Sequence, residues 1–358
     1  MEDYLPFLAA LLVAAVLTPV MRRWAVAIGA VDHPDPRKVH RRAMPRLGGI
    51  AVYAGFWTGV LLFGFAHRGQ MPPVIAGIFM GSLSLVLLGI YDDIGDAPVR
   101  VKFPVQIAAA HLAYFFGVRF DLLGSLAAFF GVALPGTFLG FASYALTILW
   151  IVGVTNAINF MDGLDGLATG IAMSVTISLV LLAQLFGAPQ MGPILGALVG
   201  GLAGFAWYNR YPATIFLGDT GSTFLGFLLA NFTLLTCHRA DASLPTRMIP
   251  FLLLTVPLSD ALYAIVRRLA LGANVFQADR GHLHHRLLAM GNSPPHAANL
   301  LSFATLVTCL VSFLLVNAGN ATALAVLAAV AVVDVALAVR LRLFDRHVIE
   351  AGVPGLGR

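Results

Sequence analysis

Charge is scarce in this chain. Asp, Glu, Lys and Arg make up 11% of 358 residues, against 59% hydrophobic ones, and the mean hydropathy is +0.87. An ordinary soluble domain carries about 25% charged residues, so that class is excluded. Cysteine is sparse too. Cys237 and Cys309 fall on different apolar runs, and no disulfide framework is implied. The N-terminus lacks the flanks of a secretory signal. In MEDYLPFLAALLVAAVL the acids come before the apolar run, and Arg22 and Arg23 follow it. That order reads as a retained first span with its N-terminus outside. No internal repeat and no soluble domain is visible, which argues against an inverted-repeat transporter.

What is present is a series of apolar runs. Lipid offers no water to open backbone, so the runs are read as helices. The expected fold is all-α, one polytopic membrane domain over 1–358. Eleven spans lie near 5–27, 47–66, 72–90, 103–117, 137–155, 166–187, 191–207, 221–237, 248–268, 298–316 and 321–339. Stretch 118–136 leaves room for a re-entrant piece or a hairpin. With the N-terminus outside, the C-terminus and the loops near 28–46, 91–102, 156–165, 208–220 and 269–297 are cytoplasmic. Eighteen Lys and Arg then lie inside against four outside, a strong positive-inside bias.

Every acid-rich or His-rich stretch lands on that cytoplasmic side. In YDDIGD (91–96) three acids end a run of spanning length. On a continuing helix Asp92 and Asp96 share a face, with Asp93 about 100° round. Acids at a helix C-terminus need a counter-ion, a Lys, an Arg or a divalent metal. Lys102, ten residues beyond Asp92 at the start of the fourth span, is the sequence candidate to pair with these carboxylates. In NAINFMDGLDG, Asn156 and Asn159 are three apart, as are Asp162 and Asp165, and glycines follow the acids. Such a segment lets backbone approach a ligand, although Asp165 also reads as a helix cap. Asp219, in IFLGDTGS, is either a cap or an oxygen ligand for Mg²⁺. Phe216 reads as lipid-facing or as a stacking platform, and the residues alone favour lipid. His282, His284 and His285, with Arg280 and Arg286, form a donor patch for a phosphate or diphosphate. A Zn²⁺ site is the alternative there. The basic loop 37–46 sets topology and suits anionic lipid headgroups. Asp260 and Arg267 read as a structural pair on one helix face. Asp334 receives no role.

Together these segments suggest phosphoryl chemistry on a lipid substrate. The chain resembles the polyprenyl-phosphate N-acetylhexosamine-1-phosphate transferases, a superfamily that includes phospho-N-acetylmuramoyl-pentapeptide transferase and the eukaryotic dolichyl-phosphate enzyme. The resemblance runs through DHPDPRKVHRRAMPRLGG (32–49), YDDIGD with Lys102 and Gln106, NAINFMDGLDGLA, YNRYPATIFLGDTGS and PLSDALYAIVRRLALGANVFQADRGHLHHRLL (257–288). The HLHH form after ADR is similar to the bacterial undecaprenyl-phosphate N-acetylglucosaminyl 1-phosphate transferases.

The resemblance implies transfer of a hexosamine 1-phosphate, most simply from UDP-N-acetylglucosamine, to polyprenyl phosphate with release of UMP. That is the first membrane step of a cell-envelope polysaccharide. It implies Mg²⁺, with Mn²⁺ as a substitute, at Asp219 and Asp93. Asp92, Asp93, Asp219 and Lys102 are the implied catalytic group. Asn159, Asp162, Asp165 and Phe216 are implied near the uridine and Asn209 near the phosphates. Asn156, Lys38, His40, Asp279, Arg280 and Arg286 join the three histidines as implied substrate contacts. The implied partners are the UDP-sugar, polyprenyl phosphate and membrane lipids, with no nucleic acid and room for a homodimer. The implied place is the inner (plasma) membrane, with the site facing the cytoplasm. A lipid-linked-sugar transporter, a catalytically inert sugar-lipid binder, and the same chemistry on another UDP-hexosamine remain as alternatives.

Overall fold

The computed structural model describes residues 4–34, 42–67, 71–238, 242–270, 272, 281–341 and 343. The all-α expectation holds. Fourteen helices follow in order among the described residues: α1 (Leu5–Ala27), α2 (Gly48–Ala66), α3 (Pro73–Gly95), α4 (Val99–Phe115), α5 (Leu122–Phe129), α6 (Gly136–Phe160), α7 (Leu167–Leu185), α8 (Met191–Asn209), α9 (Gly218–Cys237), α10 (Leu244–Leu253), α11 (Thr255–Ala270), α12 (Leu283–Ala289), α13 (Pro294–Ser312) and α14 (Asn320–Arg340). Between α1 and α2, a two-residue antiparallel pair joins Val31–Asp32 to Met44–Pro45.

Nine of the described helices are long and apolar enough to cross a bilayer, or ten if the bent pair α10–α11 counts as one. The expected eleven differ at two places. The fourth, α4, has 17 residues, about 25 Å at 1.5 Å per residue, and carries Arg100 and Lys102. The run expected as one span over 248–268 breaks at Leu254, and α10 and α11 meet at 73°. Pro257 lacks the N–H that would bond the Leu253 carbonyl, a common origin of such a kink. Stretch 118–136 holds the short helix α5.

α9 is the centre of the bundle, with 94% of its apolar stretch buried. It packs against α6, α3, α2, α7 and α10. Glycine sets how closely its N-terminus is approached. A Cβ on Gly49 of α2 would stand 2.2 Å from Gly221 Cα, and one on Gly89 of α3 would stand 2.3 Å from Thr220 Cα. Neither position admits a side chain. The Gly48 and Gly49 N–H groups also donate to the Phe216 and Leu217 carbonyls, at 3.0 and 2.9 Å. The start of α2 and the last two turns of α3 are thereby fixed against the start of α9.

Candidate active site

α3 and α6 both run further than their apolar stretches, to Gly95 and Phe160. The extra turns place YDD and both asparagines on helices at one end of the bundle, around a cavity of about 630 Å³. Its described lining includes seven aspartates, Asp32, Asp92, Asp93, Asp96, Asp162, Asp165 and Asp219, with Lys102, Arg46, His284 and His285.

The floor is built around Lys102. Its Nζ lies 2.5 Å from Asp92 Oδ2 and 2.8 Å from Asp219 Oδ2. The pairing expected from sequence is therefore present and reaches a second acid. Asp92 is buried, and its other oxygen accepts from the Ala97 N–H at 2.6 Å. Asp219 Oδ1 accepts from Asn159 Nδ2 at 3.0 Å, and the same amide donates to Ser222 Oγ at 2.8 Å. Asp93 is used differently. Its Oδ1 accepts from the Asp219 N–H at 3.0 Å, and its Oδ2 accepts from Thr220 N–H and Oγ1 at 3.1 and 2.7 Å. It caps α9 from a neighbouring helix, satisfying donors that a helix start leaves open. The shared face expected for Asp92 and Asp96 does not form. Asp96 takes a left-handed conformation, φ +50°, and ends the helix.

The connection from α6 to α7 supplies one wall. Asp162 lines the cavity. Burial, with the charges of Asp219 and Asp93, holds its carboxyl well above the usual carboxylate range. Asp165 also lines the cavity, and its Oδ2 accepts from the Ala213 N–H at 2.9 Å, a tie to the next connection instead of a cap on its own helix. Asn209 reaches the lining but spends its amide inside the protein: Thr169 Oγ1 donates to Oδ1 at 2.8 Å, and Nδ2 donates to the Ile215 carbonyl at 3.1 Å. Phe216 lies in the cavity wall, not toward lipid as its residue type favoured. Its N–H is held by the Pro45 carbonyl at 2.8 Å.

The histidines divide into two roles. His284 and His285 line the cavity, at the first turn of α12. His284 lies over Gly163, where a Cβ would come within 2.3 Å of Nε2. Its Nδ1 is buried without a hydrogen-bond partner. Burial, then His285 and His282, hold its imidazole well below the usual histidine range. His282 faces away: its Nδ1 bonds Asp260 Oδ2 at 2.7 Å, and the Leu283 N–H donates to Asp260 Oδ1 at 2.6 Å. Asp260 thus anchors this arm in place of the expected pairing with Arg267. Arg286 also leaves the cavity. Its Nε and Nη2 donate to the Leu341 carbonyl at 3.2 and 2.8 Å.

Asn156 is likewise outside the lining. It lies one turn back from Asn159 and pairs with Gln106 of α4. Lys38, His40, Asp279 and Arg280 lie outside the described residues. The cavity adds two groups that the residue reading missed. Asp32 and Arg46 form an ion pair at its edge. Both fall within stretch 32–49, where Arg46 reads as a topology determinant.

Comparison with known proteins agrees with this geometry. The description "Glycosyl transferase family 4" matches residues 75–237, from α3 to the end of α9. The chain is 38% identical over 289 residues to a probable undecaprenyl-phosphate N-acetylglucosaminyl 1-phosphate transferase of Bacillus subtilis, covering 80% of this chain and 77% of that one. It is 33% identical over 324 residues to a decaprenyl-phosphate N-acetylglucosaminephosphotransferase of Mycolicibacterium smegmatis, covering 81% and 77%. An undecaprenyl-phosphate alpha-N-acetylglucosaminyl 1-phosphate transferase of Escherichia coli is 29% identical over 291 residues, covering 79% and 76%. The chain belongs to the family of polyprenyl-phosphate N-acetylglucosamine-1-phosphate transferases.

Proposed function

We propose that the protein transfers N-acetylglucosamine 1-phosphate from UDP-N-acetylglucosamine to a polyprenyl phosphate. A phosphate oxygen of the lipid attacks the sugar-proximal phosphorus. The bond from that phosphorus to the UMP oxygen breaks, UMP leaves, and the polyprenyl-diphospho-sugar stays in the bilayer. The Lys and Arg asymmetry supports a site on the cytoplasmic face of the inner membrane.

The observation that carries this reading is Lys102 held between Asp92 and Asp219 in an aspartate-rich cavity. An anionic diphosphate entering such a cavity needs added positive charge. Two carboxylate oxygens already face one cation here, and hard oxygen donors suit Mg²⁺ or Mn²⁺. Among the described residues no group of three or more His, Cys, Asp or Glu forms a metal cage. An ion that keeps waters and takes phosphate oxygens does not need one. Asp219 is the carboxylate assigned to the ion, with Asp93 beside it at the start of α9 and Asp92 held by the Ala97 N–H and Lys102. When bound, Mg²⁺ would offset the negative charge of the diphosphate.

The chain's own groups do the rest. Lys102 neutralises charge on the transferring phosphates, Asn159 fixes the Asp219 carboxylate, and His284 and His285 donate to the diphosphate. Asp162, Asp165 and Phe216 form the uridine wall. Catalysis is then mainly alignment and electrostatic stabilisation, as for phosphoryl transfer in general. The test is purified protein with polyprenyl phosphate, Mg²⁺ and a panel of UDP-sugars, scored for UMP. UMP is expected only with both substrates present, and most from UDP-N-acetylglucosamine. A carrier of lipid-linked sugars would release none.

A further inference from the structure

α14 is the least covered of the nine long helices, with 11% of its apolar stretch buried. Inside that stretch it carries one carboxyl group, Asp334, about 9 Å from the end of the helix at 1.5 Å per residue. Acids at such depth are costly and seldom idle. Asp334 Oδ2 accepts from Ser259 Oγ at 2.8 Å and from Tyr263 Oη at 2.7 Å. Both donors lie on α11, on either side of Asp260, which holds His282 and the Leu283 N–H. A second tie joins the same two parts: the Leu341 carbonyl, just past α14, accepts from Arg286. The short arm α12 is therefore held at 282–283 through α11 and at 286 by the end of α14. The two cavity histidines stand between these attachments.

We propose that Asp334 is a positioning residue: by accepting from Ser259 and Tyr263 it fixes the face of α11 that holds His282, and so sets where His284 and His285 stand in the cavity. The catalytic consequence rests on the reading of those histidines as diphosphate contacts, but the placement is measurable without turnover. If Asp334 merely fastened α14 to the bundle, its loss would leave α12 where it is.

The test uses the full chain in lipid nanodiscs, with spin labels at Met290→Cys on the turn after α12 and Ile94→Cys on α3. Both positions are exposed, and the native Cys237 and Cys309 are buried. Asp334→Asn keeps a carbonyl acceptor for both hydroxyls, whereas Asp334→Leu removes it. The expected result is a shifted or broadened label distance in Asp334→Leu and a wild-type distance in Asp334→Asn. In Asp334→Leu the KM for UDP-N-acetylglucosamine should rise about tenfold with little change in kcat, the size expected for a weakened contact to a charged group. Should Asp334→Leu not fold, Ser259→Ala with Tyr263→Phe removes the same two bonds from the other side and must give the same shift. An unchanged distance in Asp334→Leu or in the Ser259→Ala with Tyr263→Phe variant, or an Asp334→Asn variant as disturbed as Asp334→Leu, overturns the proposal. A distance shift in a protein that releases no UMP from any UDP-sugar upholds the positioning and rejects the transferase reading instead.

Discussion

Gln106 and Asn156 bond amide to amide across α4 and α6, with Asn156 Nδ2 2.7 Å from Gln106 Oε1 and the return bond at 3.3 Å. Each stands about one turn from a residue of the cavity floor, Lys102 and Asn159 respectively. The pair therefore sets the spacing between the ammonium and the amide that both reach Asp219. Asn156→Leu leaves a buried amide without its partner, a cost of about 1–3 kcal/mol. We expect kcat to fall about tenfold while the KM for the UDP-sugar holds within about twofold. Gln106→Leu combined with Asn156→Leu should lose no more than the worse single variant. Additive losses in steady-state kinetics would uncouple the two.

Removal of the divalent ion is the next test. EDTA should abolish UMP release, and Mg²⁺ or Mn²⁺ should restore it. Asp219→Ala should be inactive yet still elute as a folded species in gel filtration. Activity in EDTA, or rescue by Zn²⁺ alone, would remove the ion from the assignment.

Asp92 is expected to position and not to remove a proton. One of its oxygens holds the Ala97 N–H and the other holds Lys102. A phosphate monoester has a second pKa of about 6, so above pH 7 the lipid phosphate is mostly ionised without help. Asp92→Asn should then lower the rate by a factor that stays nearly constant from about pH 6.5 to 9. The pH–rate profile of the variant beside wild type decides it. Recovery of about tenfold per pH unit would make Asp92 the base.

Gly163 faces the His284 ring, and its replacement should imitate loss of that ring. A Cβ would lie 2.3 Å from Nε2, so Gly163→Ala must push the imidazole aside. Both Gly163→Ala and His284→Ala should weaken UDP binding about tenfold to a hundredfold, the range for a contact to a charged group. Uridine binding should change much less. Calorimetry with the two ligands separates this from a general loss of the fold, which would weaken both alike.

At the far end of α9, His238 makes stability depend on pH. It is buried, its Nε2 bonds the Arg247 carbonyl at 3.0 Å, and burial with the nearby Arg247 pushes its pKa down to about 4. The folded state then binds fewer protons than the unfolded state between pH 6.5 and 4. Stability is fully present above about 6.5 and fades as pH falls toward 4, by up to about 3 kcal/mol. His238→Gln keeps an N–H donor but does not titrate. Thermal unfolding at pH 7 and pH 5 should show a larger loss for wild type than for this variant.

How much the chain disclosed depended on distance. YDDIGD and Lys102 are close in sequence, and their pairing was legible from the need for a counter-ion. The spans were legible from apolar runs, but not the break at Leu254, because hydropathy continues across it. Asp93 binds a helix start that lies 126 and 127 residues away, and no local pattern announces that neighbour. Helical spacing shows which side chains share a face, and on that ground alone Asp260 pairs with Arg267. It does not show that a loop 22 residues on brings His282 to that face. Asn156 and Arg286 follow the same logic: their residue types suit a substrate, while helix packing gives them to Gln106 and to Leu341.

The glycine contacts at the head of α9 have a bearing on how such a protein can diversify. Backbone lies against backbone at Gly49 and Gly89, so the helix contacts beneath the floor leave no side-chain volume with which to retune its shape. A change of donor sugar or of lipid has to be made in the walls, where α12, the segment after Asn209 and the Asp32–Arg46 edge present side chains. A lineage altering its preference would therefore keep its chemical step while redrawing the rim. Laboratory libraries aimed at new donors are best confined to those same walls.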